Sequence, residues 1–245
     1  MRAASDTDSE HLASAYERLR SLVIRGRFLP GARVTEAEVA ERLGVSRTPA
    51  RQAMQRLLLE GLMVPAGGGL RPRVSIAPLS VESARELYQS AGVLEGLGAR
   101  GVEALGDQAR ARCASRLERI EAEFHTEAER TTPNPDRLFE LHGAFHRTLM
   151  DDCAGSHTRA LLGTIRPQLD RIEWLYAPLI GRFEATYEEH QAIIDAVRGG
   201  RADAAEQAVR SNWFAAAERL AAAMQRLGED GFARALAIQL ASAEA

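Results

Sequence analysis

Apolar residues recur at helical spacing from the first turns of the chain. Leu12, Tyr16, Leu19, Leu22 and Val23 form one stripe, which predicts a helix over residues 11–26. Phe28-Leu29-Pro30-Gly31 then reads as a turn, because proline sets the corner and glycine relaxes it. Thr35-Glu36-Ala37-Glu38 has the form of a capping box, with Thr35 as cap and Glu38 reaching back. The short helix it opens runs to about Leu43 and turns Val39, Ala40 and Leu43 inward. Gly44 ends it, since glycine tolerates a left-handed backbone. Ser46 caps the next helix, which runs to about Glu60 with Pro49 in its first turn, where a missing N–H costs least. Ala50, Met54, Leu57 and Leu58 form its apolar back. A short helix, a tight turn and a second helix in this order are a helix-turn-helix. Two strand-like segments follow, Leu62-Met63-Val64 and Arg71 to Ile76, around the tip Pro65-Ala66-Gly67-Gly68-Gly69-Leu70. They predict a hairpin, or wing.

The same period continues beyond Ser80. Ala84, Leu87, Tyr88, Ala91, Leu94 and Leu97 stripe one helix, and others are predicted at about 107–128, 134–152, 156–178, 183–198 and 202–227, with a short one near 230–242. Pro133, Pro135, Gly155, Pro178, Gly181, Gly199 and Gly200 mark the breaks. The expected fold is mainly α: an N-terminal winged helix-turn-helix of three helices plus a β-hairpin wing, then an all-α antiparallel helical bundle. The domain limits read as 1–10 for a flexible N-terminus, 11–77 for the winged domain, 78–228 for the bundle and 229–245 for a C-terminal extension.

Composition supports helices: 45% of the 245 residues are hydrophobic but only 5% aromatic, and alanine and leucine dominate. All 31 basic residues are arginine, which we read as the codon bias of a GC-rich genome. Charge divides the chain more informatively than its net value of −3. Residues 11–76 carry eleven arginines against five acids, and residues 77–245 nineteen against twenty-six. A basic front on an acidic back implies two domains with different partners. Cys113 and Cys153 are the only cysteines, too few for a disulfide framework. With no signal-like start and no run long enough to span a membrane, the expectation is a soluble cytoplasmic protein with no membrane partner.

The helix "GVSRTPARQAMQRL" has a wet, basic, hydroxyl-bearing first turn on an apolar back. A helix entering the major groove end-on offers that turn first, and its free N–H groups attract phosphate. Ser46 and Thr48 can bond phosphate or base. Arg47 and Arg51, four apart on one face, can each take guanine bidentately or clamp a phosphate. Arg71 and Arg73 of the wing would lie near the backbone or minor groove. The bland alternative is a capped helix with solvated surface arginines. The helix-turn-helix spacing, the glycine-tipped wing and the local excess of positive charge together favour DNA.

The stretch "GRFLPGARVTEAEVAERLGVSRTPARQAMQRLLLEGL" closely resembles the winged helix-turn-helix of the GntR family of bacterial transcription regulators, and the helical region after it resembles the FCD-type effector domain of the FadR-like branch. The likeness spans roughly residues 11–228. It implies a homodimeric regulator, read here as a repressor, on an inverted-repeat operator in double-stranded DNA. It assigns operator reading to Arg47 and Arg51 with Thr48 between them, beside the cap Ser46, and brings the wing glycines Gly67, Gly68 and Gly69 to the minor groove, with Arg71 among the DNA-facing residues. Ala37 stands where some relatives carry another DNA-contacting arginine.

The second domain holds a further pattern. His142 and His146 are four apart on one helix and can point the same way. His190 and Asn212 each lie on the apolar face of a later helix. Four such groups in one core can bind a divalent metal, and the alternative that spacing leaves open is three unrelated core histidines. The resemblance implies the metal: many FCD domains use an aspartate, a histidine four residues on, and histidines on two later helices. His146 and His190 match, whereas His142 replaces the aspartate and Asn212 the last histidine. Such a neutral set suits zinc or nickel better than magnesium. The resemblance also implies a small effector, commonly a carboxylate. With Ala91 where an effector-binding arginine is frequent, Arg166 and Arg171 become the candidate effector contacts. A metalloenzyme is the rival class, since His142-Gly143-Ala144-Phe145-His146 has the histidine spacing of zinc proteases. Gly143 stands where their general-base glutamate would be, so no enzyme is expected.

Overall fold

The computed structural model describes residues 3–67, 73–180 and 184–242, with side chains described for 14–67, 73–175, 185–226 and 228. The fold class is as expected, a small winged helix-turn-helix followed by a helical domain. Helix α1 (Ala3–Ile24) buries Tyr16, Leu19 and Val23. Strand β1 (Arg33–Val34) follows, then α2 (Glu36–Leu43) and α3 (Arg47–Leu59).

The capping box forms: Thr35 accepts from the Glu38 N–H at 3.2 Å, and the Glu38 carboxylate accepts from the Thr35 N–H at 2.7 Å. Gly44 closes α2 with φ 65°, a left-handed turn that a side chain would strain. Val39, Ala40 and Leu43 of α2, and Ala50, Ala53, Met54 and Leu57 of α3, all face the core.

The wing strands are β2 (Met63–Pro65) and β3 (Val74–Ile76), paired antiparallel, and Ala66 N–H donates to the Arg73 carbonyl at 2.7 Å. The sheet has a third strand that the pattern did not announce. β1 pairs with the other edge of β3, in the order β1-β3-β2. Two residues are too few to show alternation. Gly68, Gly69 and Arg71 lie outside the described residues.

The helical domain comprises α4 (Val81–Ala99), a 3₁₀ turn at Arg100–Ala104, α5 (Asp107–Ala128), α6 (Pro135–Cys153), α7 (Ser156–Ile180), α8 (Glu184–Arg198) and α9 (Ala202–Ser242). Gly228, at φ 59° and ψ −179°, interrupts α9 and so separates the expected helix at 202–227 from the last one. Leu97, assigned to the core stripe of α4, is 56% exposed, as Val93 one turn earlier is 46% exposed. The packed face of α4 is instead set by Ala84, Tyr88, Ala91, Gly92 and Glu95.

The two domains touch directly. Arg171 of α7 is buried and donates to the Ala77 carbonyl in the linker at 2.8 Å. Arg20 of α1 bonds Asp170 of α7 at 2.8 Å, and Asp136 of α6 accepts both from Arg25, just past the end of α1, and from the Trp174 indole.

Candidate nucleic-acid interface and candidate metal centre

Helix α3 has two unlike faces because its apolar residues recur at three and four. One face is sealed against α1 and α2, and the other carries Ser46, Arg47, Thr48 and Arg51, all exposed. Neither Arg47 nor Arg51 has a hydrogen-bond or ion-pair partner among the described residues, and the first turn holds no acid. Neighbouring arginines are already engaged: Arg42 lies over the Phe28 ring at 4.6 Å and Arg56 over Tyr16 at 3.6 Å. Ser46 occupies the N-cap position with extended backbone, but its hydroxyl makes no capping bond, so that oxygen is available to another partner. Gly67 begins the wing tip at φ 79° with open space around it.

In the second domain the fold brings three of the four expected metal candidates together. One ligand nitrogen from each of His142, His146 and His190 lies within 4.8 Å of the others. His146 and His190 are fully buried, while the His142 side chain is 25% exposed. Phe145 stacks on His190 with ring centroids 4.0 Å apart, and Trp213 packs 4.9 Å from His146. Asn212 is also buried, but its described bond runs to Glu189, which Arg219 clamps through both oxygens at 2.7 and 2.8 Å.

Three glutamates absent from the sequence reading complete the picture. His146 Nδ1 meets Glu95 Oε2 at 2.7 Å, His190 Nδ1 meets Glu121 Oε2 at 2.5 Å, and His142 Nδ1 lies 3.7 Å from Glu173 Oε2. The Trp213 indole also donates to Glu95 at 2.9 Å. A carboxylate behind one ring nitrogen fixes the tautomer and turns the lone pair of the other outward. Here those other atoms, Nε2 of His146 and of His190, are buried without any hydrogen-bond partner. Each such orphan costs on the order of 1–3 kcal/mol, and a bound cation would remove that cost. The donor set therefore fits a metal. Its surroundings are not neutral, as the ligand types alone implied, because carboxylates back the imidazoles.

Electrostatics agree. Burial lowers the His190 pKa to about 4, only partly opposed by Glu121, so the ring is neutral and able to ligate. Burial pushes the Glu95 carboxyl upward, but His146 and the Trp213 N–H more than offset it and hold it below its ordinary value. Glu173 is likewise pushed up by burial and brought down to about 2, chiefly by Arg166 and then by His142 and His146.

The two arginines proposed as effector contacts are both committed. Arg166 donates to Asp170 at 2.5 Å and to Glu173 at 2.6 Å, beside the histidines. Arg171 is buried against the linker carbonyl of Ala77. No helix among the described residues is long and apolar enough to cross a membrane.

A helix-turn-helix head with a bare basic helix tip, joined to a helical domain whose clustered histidines could hold an ion, is the architecture of a transcription regulator. Residues 12–69 match the family "Bacterial regulatory proteins, gntR family", and residues 86–215 match the FCD domain. The protein belongs to the GntR family of bacterial regulators and carries an FCD domain. It is 27% identical over 209 residues to the uncharacterized HTH-type transcriptional regulator YdhC of Bacillus subtilis (strain 168), covering 85% of this chain and 90% of that one. It is 26% identical over 217 residues to an Escherichia coli (strain K12) protein named for regulation of the L-lactate dehydrogenase operon, covering 80% and 81%. In fold it is similar to the crystal structure described as a GntR transcriptional regulator from Rhodococcus sp. RHA1, with a TM-score of 0.64, 23% identity and coverage of 86% and 97%.

Proposed function

We propose that the protein is a repressor that binds an inverted-repeat operator as a homodimer and is released by a small organic acid. The observation that carries this reading is the α3 tip: two exposed arginines four residues apart, without partners among the described residues, on a helix whose other face is sealed in the core. Arg47 and Arg51 read bases or clamp phosphates, with Thr48 and Ser46 beside them. Gly67, Gly68, Gly69 and Arg71 bring the wing to the minor groove. One recognition helix reads too few base pairs for useful specificity, which favours a two-fold dimer. The exposed apolar side chains Val93 and Leu97 on α4 and Leu161 on α7 are candidates for its contact.

In the sensory domain, His142, His146 and His190 hold a divalent ion, zinc or nickel, because imidazole donors suit those metals. Bound there, the ion supplies positive charge for an effector carboxylate. That supply also removes the need for a free arginine, since Arg166 and Arg171 are engaged elsewhere. The relative named for an L-lactate dehydrogenase operon supports an organic acid as effector. The protein is read as a sensor and not an enzyme, because Gly143 stands where the zinc-protease motif has its general-base glutamate, and the glutamates at the site lie behind the imidazoles on their Nδ1 side.

Arg47→Ala and Arg51→Ala test the reading. Each should weaken binding to a duplex selected from a random pool by at least about tenfold, the loss expected for one specific arginine contact, with the circular dichroism unchanged. Unaltered protection of the selected site by both variants would refute it.

A further inference from the structure

We infer that a chain of alternating charges couples the histidine cluster to the far end of the recognition helix, with Asp170 as its joint. The inference rests on the regulator reading above and adds the route between its two domains. The chain begins at His142, whose Nδ1 lies 3.7 Å from Glu173 Oε2. That oxygen accepts from Arg166 Nη2 at 2.6 Å. Arg166 Nε donates to Asp170 Oδ1 at 2.5 Å, and Asp170 Oδ2 accepts from Arg20 Nη2 at 2.8 Å, crossing from α7 to α1. Arg20 Nε then lies 4.0 Å from Glu60 Oε2. Glu60 is the residue that closes α3, and it also accepts from the Tyr16 hydroxyl and lies 3.5 Å from Arg56.

Two features make this more than adjacency. The contacts are tight in the middle and slack at both ends, where 3.7 and 4.0 Å exceed hydrogen-bond reach. At the same two ends a carboxylate oxygen is buried with no hydrogen-bond partner: Glu173 Oε1 and Glu60 Oε2. Buried orphans of this kind cost free energy, and a second arrangement can recover it. The side chains along the chain, from Glu173 to Glu60, are between 4% and 24% exposed, so solvent screens them only in part.

Each carboxylate is shared by two cations and each guanidinium by two carboxylates, so tightening one contact loosens the next. Positive charge at the histidines draws Glu173 onto His142. Arg166, released from Glu173, rests on Asp170 alone, and Asp170 gives up Arg20. Arg20 then closes on Glu60. The alternate setting tightens both slack ends and opens the Glu173–Arg166 and Asp170–Arg20 contacts, while Arg166 stays on Asp170. Pro167, next to Arg166, has no N–H to give the carbonyl of Gly163 four residues back, so this turn of α7 has one restraint fewer. The output is the last turn of α3, where Glu60 N–H bonds the Arg56 carbonyl and Leu62 N–H the Leu57 carbonyl.

The test uses the full chain, zinc ion as probe, and the variants Asp170→Asn and Arg20→Gln, neither of which touches the histidines or the α3 tip. Zinc affinity is measured by chelator competition, affinity for a selected duplex with and without zinc, and amide exchange over residues 56–62. In the unaltered protein zinc should shift DNA affinity by about tenfold, a usual size for coupling between sites, and change exchange in that segment. In either variant zinc should still bind, yet the shift should shrink to less than about twofold, and the double variant should add nothing, as expected for residues acting as one unit. A full shift retained in a folded variant overturns the route, as does zinc binding to the unaltered protein with no change at α3. Failure of zinc to bind at all removes the metal reading itself, and the coupling falls with it. Should Asp170→Asn not fold, Arg20→Gln decides.

Discussion

At the scale of single residues, the informative groups are those whose partners come from elsewhere in the chain. Tyr16 is one: burial, and then its bond to Glu60, raise its pKa to about 12. The folded state therefore holds a proton that the unfolded phenol loses near pH 10. Stability from this group is complete below about pH 10 and is lost as pH rises toward 12. Urea midpoints should fall across that window, and Tyr16→Phe should flatten the fall. The chain contains no lysine, so no lysine amine titrates in this window, and Tyr88, whose phenol is also pushed up by burial, is a background common to both proteins. The histidine centre shows how far residue reasoning reaches. His142 and His146 were legible because a spacing of four puts two side chains on one helix face, and His190 because it sits in an apolar stripe. Glu95, Glu121 and Glu173 were not. They come from three other helices, and a glutamate on an amphipathic helix reads as a solvated residue until its neighbours are known. A glutamate on the buried side of its stripe, as Glu95 is beside Ala91 and Gly92, was the one available signal.

Among elements, capping and periodicity carried most of the fold. The α2 start, the Gly44 stop and the α3 face followed from local chemistry, which is short-range and so visible in sequence. The strand β1 and the 3₁₀ turn at Arg100–Ala104 did not, since β1 pairs with β3, distant along the chain, and the turn packs against the end of α6. That turn passes close to the end of α6. A Cβ at Gly101 would lie 1.9 Å from the Cys153 carbonyl oxygen, an overlap that neither backbone can absorb without moving. Gly101→Ala should destabilise the protein by roughly 2 kcal/mol or more, in the upper range for overpacking, seen as a lower midpoint in chemical denaturation. Gly163→Ala, on α7 with open space around it, is the control and should leave the midpoint near or above its original position.

Across the whole molecule, binding of the proposed ion would be linked to stability. Zinc at a hundred times its dissociation constant should stabilise the fold by about 2.7 kcal/mol, and chelation should reverse the gain. His146→Ala and His190→Ala should abolish the shift in thermal midpoint. The shift is the quantity to compare, because either change also strands a buried glutamate and lowers the starting stability. The linker supplies a further constraint. The buried Arg171 guanidinium grips the carbonyl of Ala77, Arg20 ties the first helix to α7, and Arg25 ties the turn after that helix to α6. A head on a loose tether would tolerate many separations between two operator halves. In the proposed dimer, two heads held in this way would form a calliper, so inserting or deleting even two base pairs at the centre of the inverted repeat should cost most of the affinity that the intact site provides.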